Sequence, residues 1–327
     1  MSERNELMHA VAATDAVKVR KLLEEGADVT FKDEQGNTAL HLAAASEDPV
    51  IVSLLLSSGA EVDERNLEGE TALMLASETE SSEVVKLLLK AGADARASDY
   101  SGRTALWRAF FNYPKVEMAE ALLESGAQAS HDLLLSALMD VASQGQDVEM
   151  LRFLLSKGVD INERERGGFT ALMNAVLRHP GEDWDNTEML LALIALGADV
   201  NARSEEERTA LMYIAKSHPD LNELEILIKA GADLNARDRK GNSALMLSVG
   251  KSEEISKALI DAGADLNAND RDGLTALMLA AKKGEEGTVR ALVAAGADCR
   301  QRDSKGLTAL DYAKDERIKE FLAPFCF

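Results

Sequence analysis

The apolar residues of this chain occur in pairs of short runs, each with the three- and four-residue spacing of one helix face. Residues 73–76 and 84–89 form one such pair, and a short polar segment separates the two runs. This spacing favours two short helices joined by a loop. The loop contains a proline, which disfavours helix continuation, in four copies: Pro49, Pro114, Pro180 and Pro219. The pattern therefore predicts a helix–loop–helix unit.

The unit recurs throughout the chain at spacings of 32 to 39 residues, most often 33. Asn5 marks a divergent first copy, and the tripeptide Thr-Ala-Leu or Ser-Ala-Leu marks the nine others, beginning at Thr38, Thr71, Thr104, Ser136, Thr170, Thr209, Ser243, Thr275 and Thr308. A glycine follows most of these positions 21 or 22 residues later, as Gly59, Gly92 and Gly296 do. Two landmarks in a fixed phase define ten repeats.

Each landmark has a structural role. Threonine or serine is a good N-cap for the first helix, and glycine can adopt the left-handed conformation that ends the second. Residues 33–36 and 270–273 fit type I turns, with aspartate first and glycine last. One such unit cannot bury its apolar face alone, so the repeats must stack. We expect a single domain over residues 1–327, with repeat 1 as the N-terminal cap, repeats 2–9 internal and residues 303–327 as the C-terminal cap.

The repeat resembles the ankyrin-repeat family, whose pattern reads Asp-x-x-Gly-x-Thr-Pro-Leu-His and then Leu-Leu-x-x-Gly-Ala-Asp-x-Asn-Ala. The resemblance covers residues 5–321. It implies an all-α solenoid of ten helix–loop–helix repeats with β-turn fingers, elongated and curved. It also implies that the fingers and first helices line a concave groove, which usually binds a protein.

The chain departs from this family pattern at two positions of the repeat. Ala39, Ala72 and their equivalents replace the proline, and only His41 keeps the histidine. Methionine replaces that histidine in five repeats, at Met74, Met173, Met212, Met246 and Met278. We therefore expect packing of thioethers to replace the threonine–histidine hydrogen bonds in most fingers.

Three repeats are irregular. Residues 127–136 of repeat 5 contain no closing glycine, which indicates either a locally distorted stack, with Asp132 capping an early helix, or a hinge between repeats 1–4 and 6–10. Repeat 6 has a loop insertion over residues 179–185, whose Trp184 either contacts a partner or folds back over the helix ends. Glu207 stands where other fingers have glycine, and this predicts a looser turn.

The family geometry predicts which positions line the groove, and repeat 4 is unusual there. It carries Tyr100, Arg103, Trp107, Phe111, Asn112 and Tyr113, and tyrosine, tryptophan and arginine are the residues that most often anchor protein interfaces. The alternative is that Trp107 and Phe111 fill the seam between repeats, whereas Phe110 is expected in the core. The groove continues through Phe169, Met173, Leu177, Arg178 and Arg208.

Charge varies along the predicted groove. The chain has 36 Lys and Arg against 57 Asp and Glu, and its net charge of −21 opposes binding to nucleic acid or an anionic membrane. Repeats 2 and 3 place Glu34, Glu68, Glu70 and Glu78 in the groove. Repeats 8 to 10 place basic residues there, at Arg237, Arg239, Lys240, Lys251, Arg271, Lys282, Lys283, Arg302 and Lys305. Either these charges are only solvated surface, or the basic stretch holds an acidic segment of a partner.

No catalytic or metal-binding motif is evident. The five histidines lie at different phases of the repeat, and Cys299 and Cys326 are the only cysteines, which favours a reducing compartment. We expect neither a signal peptide nor a membrane span, and we expect a cytoplasmic location and no cofactor. The apolar tail, residues 321–327, either caps the last repeat or serves as a short peptide for another protein.

These observations predict a monomeric, non-catalytic scaffold, adaptor or inhibitor that binds a protein partner through the concave face. The alternatives are a structural protein that self-associates end to end through residues 325–327, and an enzyme with an unrecognised site.

Overall fold

The computed structural model of the chain describes residues 6–111, 115–145, 147–177, 186–217 and 220–326. Within those residues all regular secondary structure is helical, apart from two isolated antiparallel bridges, Ser98 with Thr104 and Asn269 with Thr275. The prediction of an all-α repeat solenoid is therefore confirmed. The chain divides into two compact units, Met1–Ala137 and Leu138–Phe327. The prediction of a single domain over residues 1–327 stays a prediction, as does the hinge.

The helices come in pairs, one pair per repeat. Unit 1 contains α1 (Glu6–Ala12), α2 (Ala16–Glu24), α3 (Ala39–Ala45), α4 (Pro49–Ser57), α5 (Ala72–Ala76), α6 (Ser82–Lys90), α7 (Ala105–Phe111) and α8 (Val116–Glu124). The boundary between the units falls within α9 (His131–Gln144). Unit 2 contains α10 (Val148–Ser156), α11 (Ala171–Val176), α12 (Thr187–Ala195), α13 (Ala210–Ser217), α14 (Leu221–Lys229), α15 (Ala244–Ser248), α16 (Glu253–Asp261), α17 (Ala276–Lys283), α18 (Glu286–Ala294), α19 (Ala309–Tyr312) and α20 (Glu316–Leu322).

The first helix of a repeat is short and deeply buried. In the third repeat the Thr71 hydroxyl accepts the amide of Met74 at 3.4 Å, and Ser243 and Thr275 cap α15 and α17 in the same way. The methionine thioethers lie in the core beside the Ala and Leu of the tripeptide, with Met74, Met173, Met212, Met246 and Met278 all buried. Methionine side chains thus pack in the core at the positions where the family pattern has histidine.

The turn before a first helix is called a finger here, and in repeats 2, 4, 8, 9 and 10 an aspartate and a glycine in the left-handed conformation hold it. In the fourth finger, one carboxylate oxygen of Asp99 accepts the amides of Ser101 and Arg103 at 2.8 and 2.9 Å. Gly102 then closes the turn at φ +80°. The seventh finger closes in the same way, although Glu207 occupies the glycine position at φ 59°. Because the Glu207 amide still reaches the Ser204 carbonyl at 2.9 Å, the predicted loosening is not seen.

Two irregular segments take defined conformations. In repeat 5, α9 begins at His131, well before Ser136, and Ser130 rather than Asp132 supplies the cap, accepting the amide of Leu133 at 3.2 Å. At the C-terminus, the rings of Phe321 and Phe325 pack with centroids 5.5 Å apart. Leu322 is fully buried and the Phe321 ring centroid lies 4.4 Å from the Arg290 guanidinium of α18, so the tail contacts the preceding repeat.

The two cysteines are joined as a disulfide. Cys299, in the loop that follows α18, bonds to Cys326 near the chain end, with Cα atoms 5.0 Å apart. The pairing was not predicted from the sequence, because the two cysteines are 27 positions apart and the repeat pattern does not indicate that they are close in space.

Candidate functional site

The fingers of unit 1 expose apolar side chains at their tips. Leu67 is 69% exposed and Tyr100 75% exposed, and the two residues occupy the same position in adjacent fingers. The fingers are joined by backbone hydrogen bonds, from the Leu67 amide to the Gln35 carbonyl and from the Tyr100 amide to the Glu68 carbonyl at 3.1 Å. The Tyr100 ring lies directly over Gly69, where a Cβ atom would come within 2.8 Å of it. Glycine at this position therefore leaves room for the aromatic ring to pack on the neighbouring finger.

The first helix of repeat 4 continues this aromatic surface. The rings of Trp107 and Phe111 are 4.8 Å apart between centroids, and the Arg103 guanidinium lies 5.6 Å from the Trp107 centroid. Both residues are half-buried, so each leaves part of its side chain accessible. Phe110 is fully buried. Asn112 and Tyr113 lie outside the described residues.

A buried ion cluster underlies the aromatic surface. The Arg108 side chain is 1% exposed, and its guanidinium donates to Asp99 at 2.7 Å, to Glu70 at 2.9 Å and to Glu78. Burial opposes ionisation of Asp99, but hydrogen bonds from the Arg103 amide and from Arg108 outweigh it and keep the pKa of this carboxyl below its ordinary value. Arg108 therefore ties α7 to two fingers and to the end of α5. Sequence reasoning missed this cluster, although an arginine between apolar residues of a short helix was a signal.

A pocket of about 370 Å³ lies between the second and third fingers and the helices that follow them. We call it the repeat 2–3 pocket; Glu34, Gln35, Asn37, His41, Leu42, Ala45, Asn66, Leu67, Glu68, Glu70 and Leu75 line it. Its floor is a hydrogen-bonded network, in which the Asn66 amide group donates to Asn37 at 3.0 Å and to Glu70 at 2.7 Å. Its rim is formed by Glu34 and Glu68, which are both exposed and carry carboxylates.

His41 forms part of the floor of this pocket. Its Nδ1 atom hydrogen-bonds the Thr38 hydroxyl at 2.9 Å, and its Nε2 atom lies 3.1 Å from the Glu70 carbonyl oxygen of the next finger. Burial lowers the pKa of His41 below its ordinary value, against the opposing hydrogen bond to Glu70. The imidazole is therefore neutral at pH 7, and it links two fingers without adding positive charge to the pocket.

In unit 2 the predicted groove residues Met173 and Arg208 are buried, and Phe169 is half-buried. Phe169 packs on Tyr213 with ring centroids 5.5 Å apart, and Met173 is buried in the core rather than facing a groove. Arg208 is 8% exposed, because its guanidinium is held by Asp238 at 3.2 Å and by Glu206. We therefore remove Met173 and Arg208 from the candidate surface. Arg178 lies outside the described residues, as does the insertion 179–185 with Trp184.

The basic residues predicted for repeats 8 to 10 are exposed. This holds for Arg239, Lys240, Arg271, Lys282 and Lys283. Several of them also make contacts within the chain. Arg239 donates to the Glu205 carbonyl at 2.5 Å, Lys283 donates to the Val249 carbonyl at 2.6 Å, and the Lys282 ammonium lies 5.4 Å from the Tyr312 ring centroid. Part of this positive charge therefore joins adjacent repeats.

Comparison with known families agrees with this geometry. A family model described as ankyrin repeats (3 copies) matches residues 2–66, 50–133, 129–204 and 181–270. A second model, described as ankyrin repeats (many copies), matches residues 259–313. The chain belongs to the ankyrin-repeat family. Ankyrin repeats are generally protein–protein interaction modules and are typically non-catalytic. No curated protein matches the chain.

This ankyrin-repeat chain keeps the family's threonine–histidine contact in the second repeat, at Thr38 and His41. The last repeat has an equivalent contact, in which Asp311 replaces the histidine and accepts from both the amide and the hydroxyl of Thr308 at 2.8 Å. These hydrogen bonds hold the pKa of Asp311 below its ordinary value. The contact was not predicted, because a carboxylate at this position does not match the family pattern.

Across the described ranges, no group of three or more His, Cys, Asp or Glu residues is arranged to hold a metal ion. In that same part of the chain no helix is long and apolar enough to cross a membrane.

Proposed function

We propose that this ankyrin-repeat chain is a non-catalytic, monomeric binding protein that engages a protein partner through its fingers and first helices. This is the face that the family pattern predicts to be concave. Tyr100, Trp107 and Phe111 would contribute most of the affinity, and the charged residues on either side would set the orientation of the partner. An adaptor role and an inhibitor role both fit this proposal.

The exposure of Tyr100 is the observation that carries the proposal. A tyrosine ring that is 75% exposed, beside a second exposed apolar tip at Leu67 and a tryptophan–phenylalanine pair, forms a clustered apolar surface. Clustered exposed apolar residues mark interaction sites more often than single ones do. Tyrosine and tryptophan are also enriched among the residues that dominate binding energy.

The first experiment is affinity capture from an extract of the source organism, followed by calorimetry with the purified captured protein. We compare wild type with Tyr100→Ser and Trp107→Ala. Each substitution is expected to weaken binding about tenfold or more. Val17→Ser is the matched control, because Val17 is 81% exposed on α2, outside the proposed surface, and should change binding less than about twofold.

Circular dichroism and thermal melting of each variant separate lost binding from lost folding, which matters most for the partly buried Trp107. If both aromatic variants fold normally and bind as wild type does, the aromatic surface is not the binding site. The exposed basic residues Arg239, Lys240 and Arg271 would then become the surface to test.

End-to-end self-association is the second candidate, and the observation that favours it is Phe325, which is 49% exposed. The Phe325 ring nevertheless packs on Phe321, and the neighbouring Cys326 is bonded to Cys299. The tail is therefore engaged with its own repeat. We expect a concentration-independent monomer in sedimentation velocity, whereas a rise in sedimentation coefficient with concentration would support self-association.

A further inference from the structure

The repeat 2–3 pocket combines apolar walls with an anionic rim. We infer that this pocket receives the side chain of an arginine or lysine from a basic segment of the partner protein. The inference rests on the proposed function, because it names the chemistry of the partner that the finger face binds.

The walls of the pocket suit an aliphatic stem that ends in a cation. Leu42, Leu67 and Leu75 provide apolar surface at the sides, and Leu67 is largely exposed in the absence of a partner. Arginine and lysine bury their methylene groups along apolar surface and keep the charged end in a polar environment. A pocket of about 370 Å³ has room for one such side chain.

The rim supplies uncompensated negative charge. In the described part of the chain, no ion pair neutralises Glu34 or Glu68. Glu70 and Glu78, by contrast, are already paired with Arg108. The histidine of the floor adds no competing cation, because His41 is buried and uncharged.

The pocket is continuous with the aromatic surface. The Tyr100 amide donates to the carbonyl oxygen of Glu68, and the Tyr100 ring covers Gly69, which follows Glu68 directly. A peptide segment that places an apolar residue on Tyr100 can therefore place a neighbouring basic residue over Glu68. Such pairing of an apolar anchor with a charged neighbour gives both affinity and orientation.

The charge of the surrounding unit favours the same partner. Unit 1 contains 12 Lys and Arg against 24 Asp and Glu, counted over residues 1–137. A negative field of this kind attracts basic segments before contact is made and repels acidic ones.

The test uses the intact chain and four pools of ten-residue peptides with randomised flanks. The central residue of each pool is fixed as arginine, lysine, citrulline or glutamate; citrulline has the shape of arginine without its charge. Binding is measured by surface plasmon resonance at 50 and 150 mM salt. We expect the arginine and lysine pools to bind about tenfold or more tightly than the citrulline and glutamate pools.

The variant Glu34→Gln/Glu68→Gln removes the charge of the rim with little change of shape. Glu61→Gln/Glu83→Gln is the matched control, because it changes the net charge equally at two exposed glutamates that do not line the pocket. The pocket variant should lose the preference for arginine over citrulline, and the control should keep it within about twofold. Circular dichroism establishes that both variants fold.

The outcomes separate this inference from the proposed function. Equal binding of the arginine and citrulline pools to wild type, binding to no pool, or an unchanged arginine preference in the pocket variant would each overturn the inference. If Tyr100→Ser abolishes peptide binding while the pocket variant does not alter it, the proposed binding face stands and the cationic pocket is wrong. If neither variant matters to peptides that do bind, both ideas fail.

Discussion

Substitution of Arg108 by methionine removes the buried cation from a cluster of carboxylates while keeping a long, helix-compatible side chain in α7. In wild type, the guanidinium contacts Asp99, which is as buried as Arg108 itself, and Glu70, whose side chain is 11% exposed. Glu78 is 36% exposed and can be rehydrated once its partner is gone. The substitution therefore leaves Glu70 poorly solvated and without its cation, and leaves Asp99 with only the half-exposed Arg103 as a countercharge.

The expected cost at pH 7 is about 3–5 kcal/mol of unfolding free energy, the usual penalty for breaking a buried ion pair from one side. Arg103→Met is the matched control. Arg103 also contacts Asp99, at 3.0 Å, but its side chain is 40% exposed. Asp99 would keep Arg108 in that variant, so the expected cost is at most about 1 kcal/mol.

Urea unfolding, followed by tryptophan fluorescence, measures the unfolding free energy of wild type and of both variants. The chain has two tryptophans, and a Trp184→Phe background leaves Trp107, on the same helix as Arg108, as the reporter. Because repeat arrays unfold with limited cooperativity, a reporter in repeat 4 follows the repeats that the substitution affects.

The difference in unfolding free energy between Arg108→Met and wild type should become smaller as the pH falls from 7 towards 4. In wild type the lowered pKa of Asp99 means that its contribution is complete above the ordinary value of 3.8 and is lost as the pH falls through the folded-state value. In the variant, burial still raises the pKa of Asp99 and the hydrogen bond from Arg108 no longer lowers it, so proton uptake stabilises the folded state as the pH falls. A loss no larger than that of Arg103→Met, or a difference that does not narrow in acid, would refute this reasoning.

Two further predictions concern single positions. Glu207→Gly should raise the unfolding free energy by about 1 kcal/mol in urea titrations, because glycine adopts the left-handed conformation at φ 59° without the cost that Glu207 bears; an unchanged or lower urea midpoint would contradict this. Reduction of the Cys299–Cys326 disulfide, which closes a loop of 27 residues, should destabilise the last repeat by about 3 kcal/mol. Faster hydrogen exchange in α20 would report it, Cys299→Ser/Cys326→Ser should match the reduced protein, and equal exchange before and after reduction would contradict it.

The helices and fingers were predictable from the sequence because their determinants are local. Thr275 caps α17 through the amide of Met278, three residues away, and Asp99 builds its turn from amides two and four residues on. The core positions follow from the same periodicity, since Ala276 and Leu277 are buried as the repeat phase predicts. Early initiation of α9 was also visible, although the capping residue is Ser130 and not Asp132.

The candidate site was less predictable, because burial of a side chain depends on residues one repeat away. Arg208 occupies a position of the repeat that is predicted to lie at the surface. It is nevertheless buried, because its guanidinium donates to Asp238, which is 30 positions later in the chain. Arg108 similarly finds Glu70, Glu78 and Asp99 at separations of 38, 30 and 9 residues. A comparison of opposite charges in adjacent repeats would have found both clusters. The position of each residue within its own repeat was not enough to find them.

The four glutamates predicted to make the groove of repeats 2 and 3 acidic therefore have different roles. Arg108 neutralises Glu70 and Glu78, so their charge stabilises the fold and is not available to a partner. Glu34 and Glu68 are exposed residues at the rim of the repeat 2–3 pocket, so their charge is available for binding. The proposed binding and the stability of unit 1 thus involve separate carboxylates, although these lie within neighbouring fingers. Neutralising Glu34 and Glu68 should alter binding without lowering the urea midpoint, whereas removing Arg108 should lower the midpoint even when no partner is present.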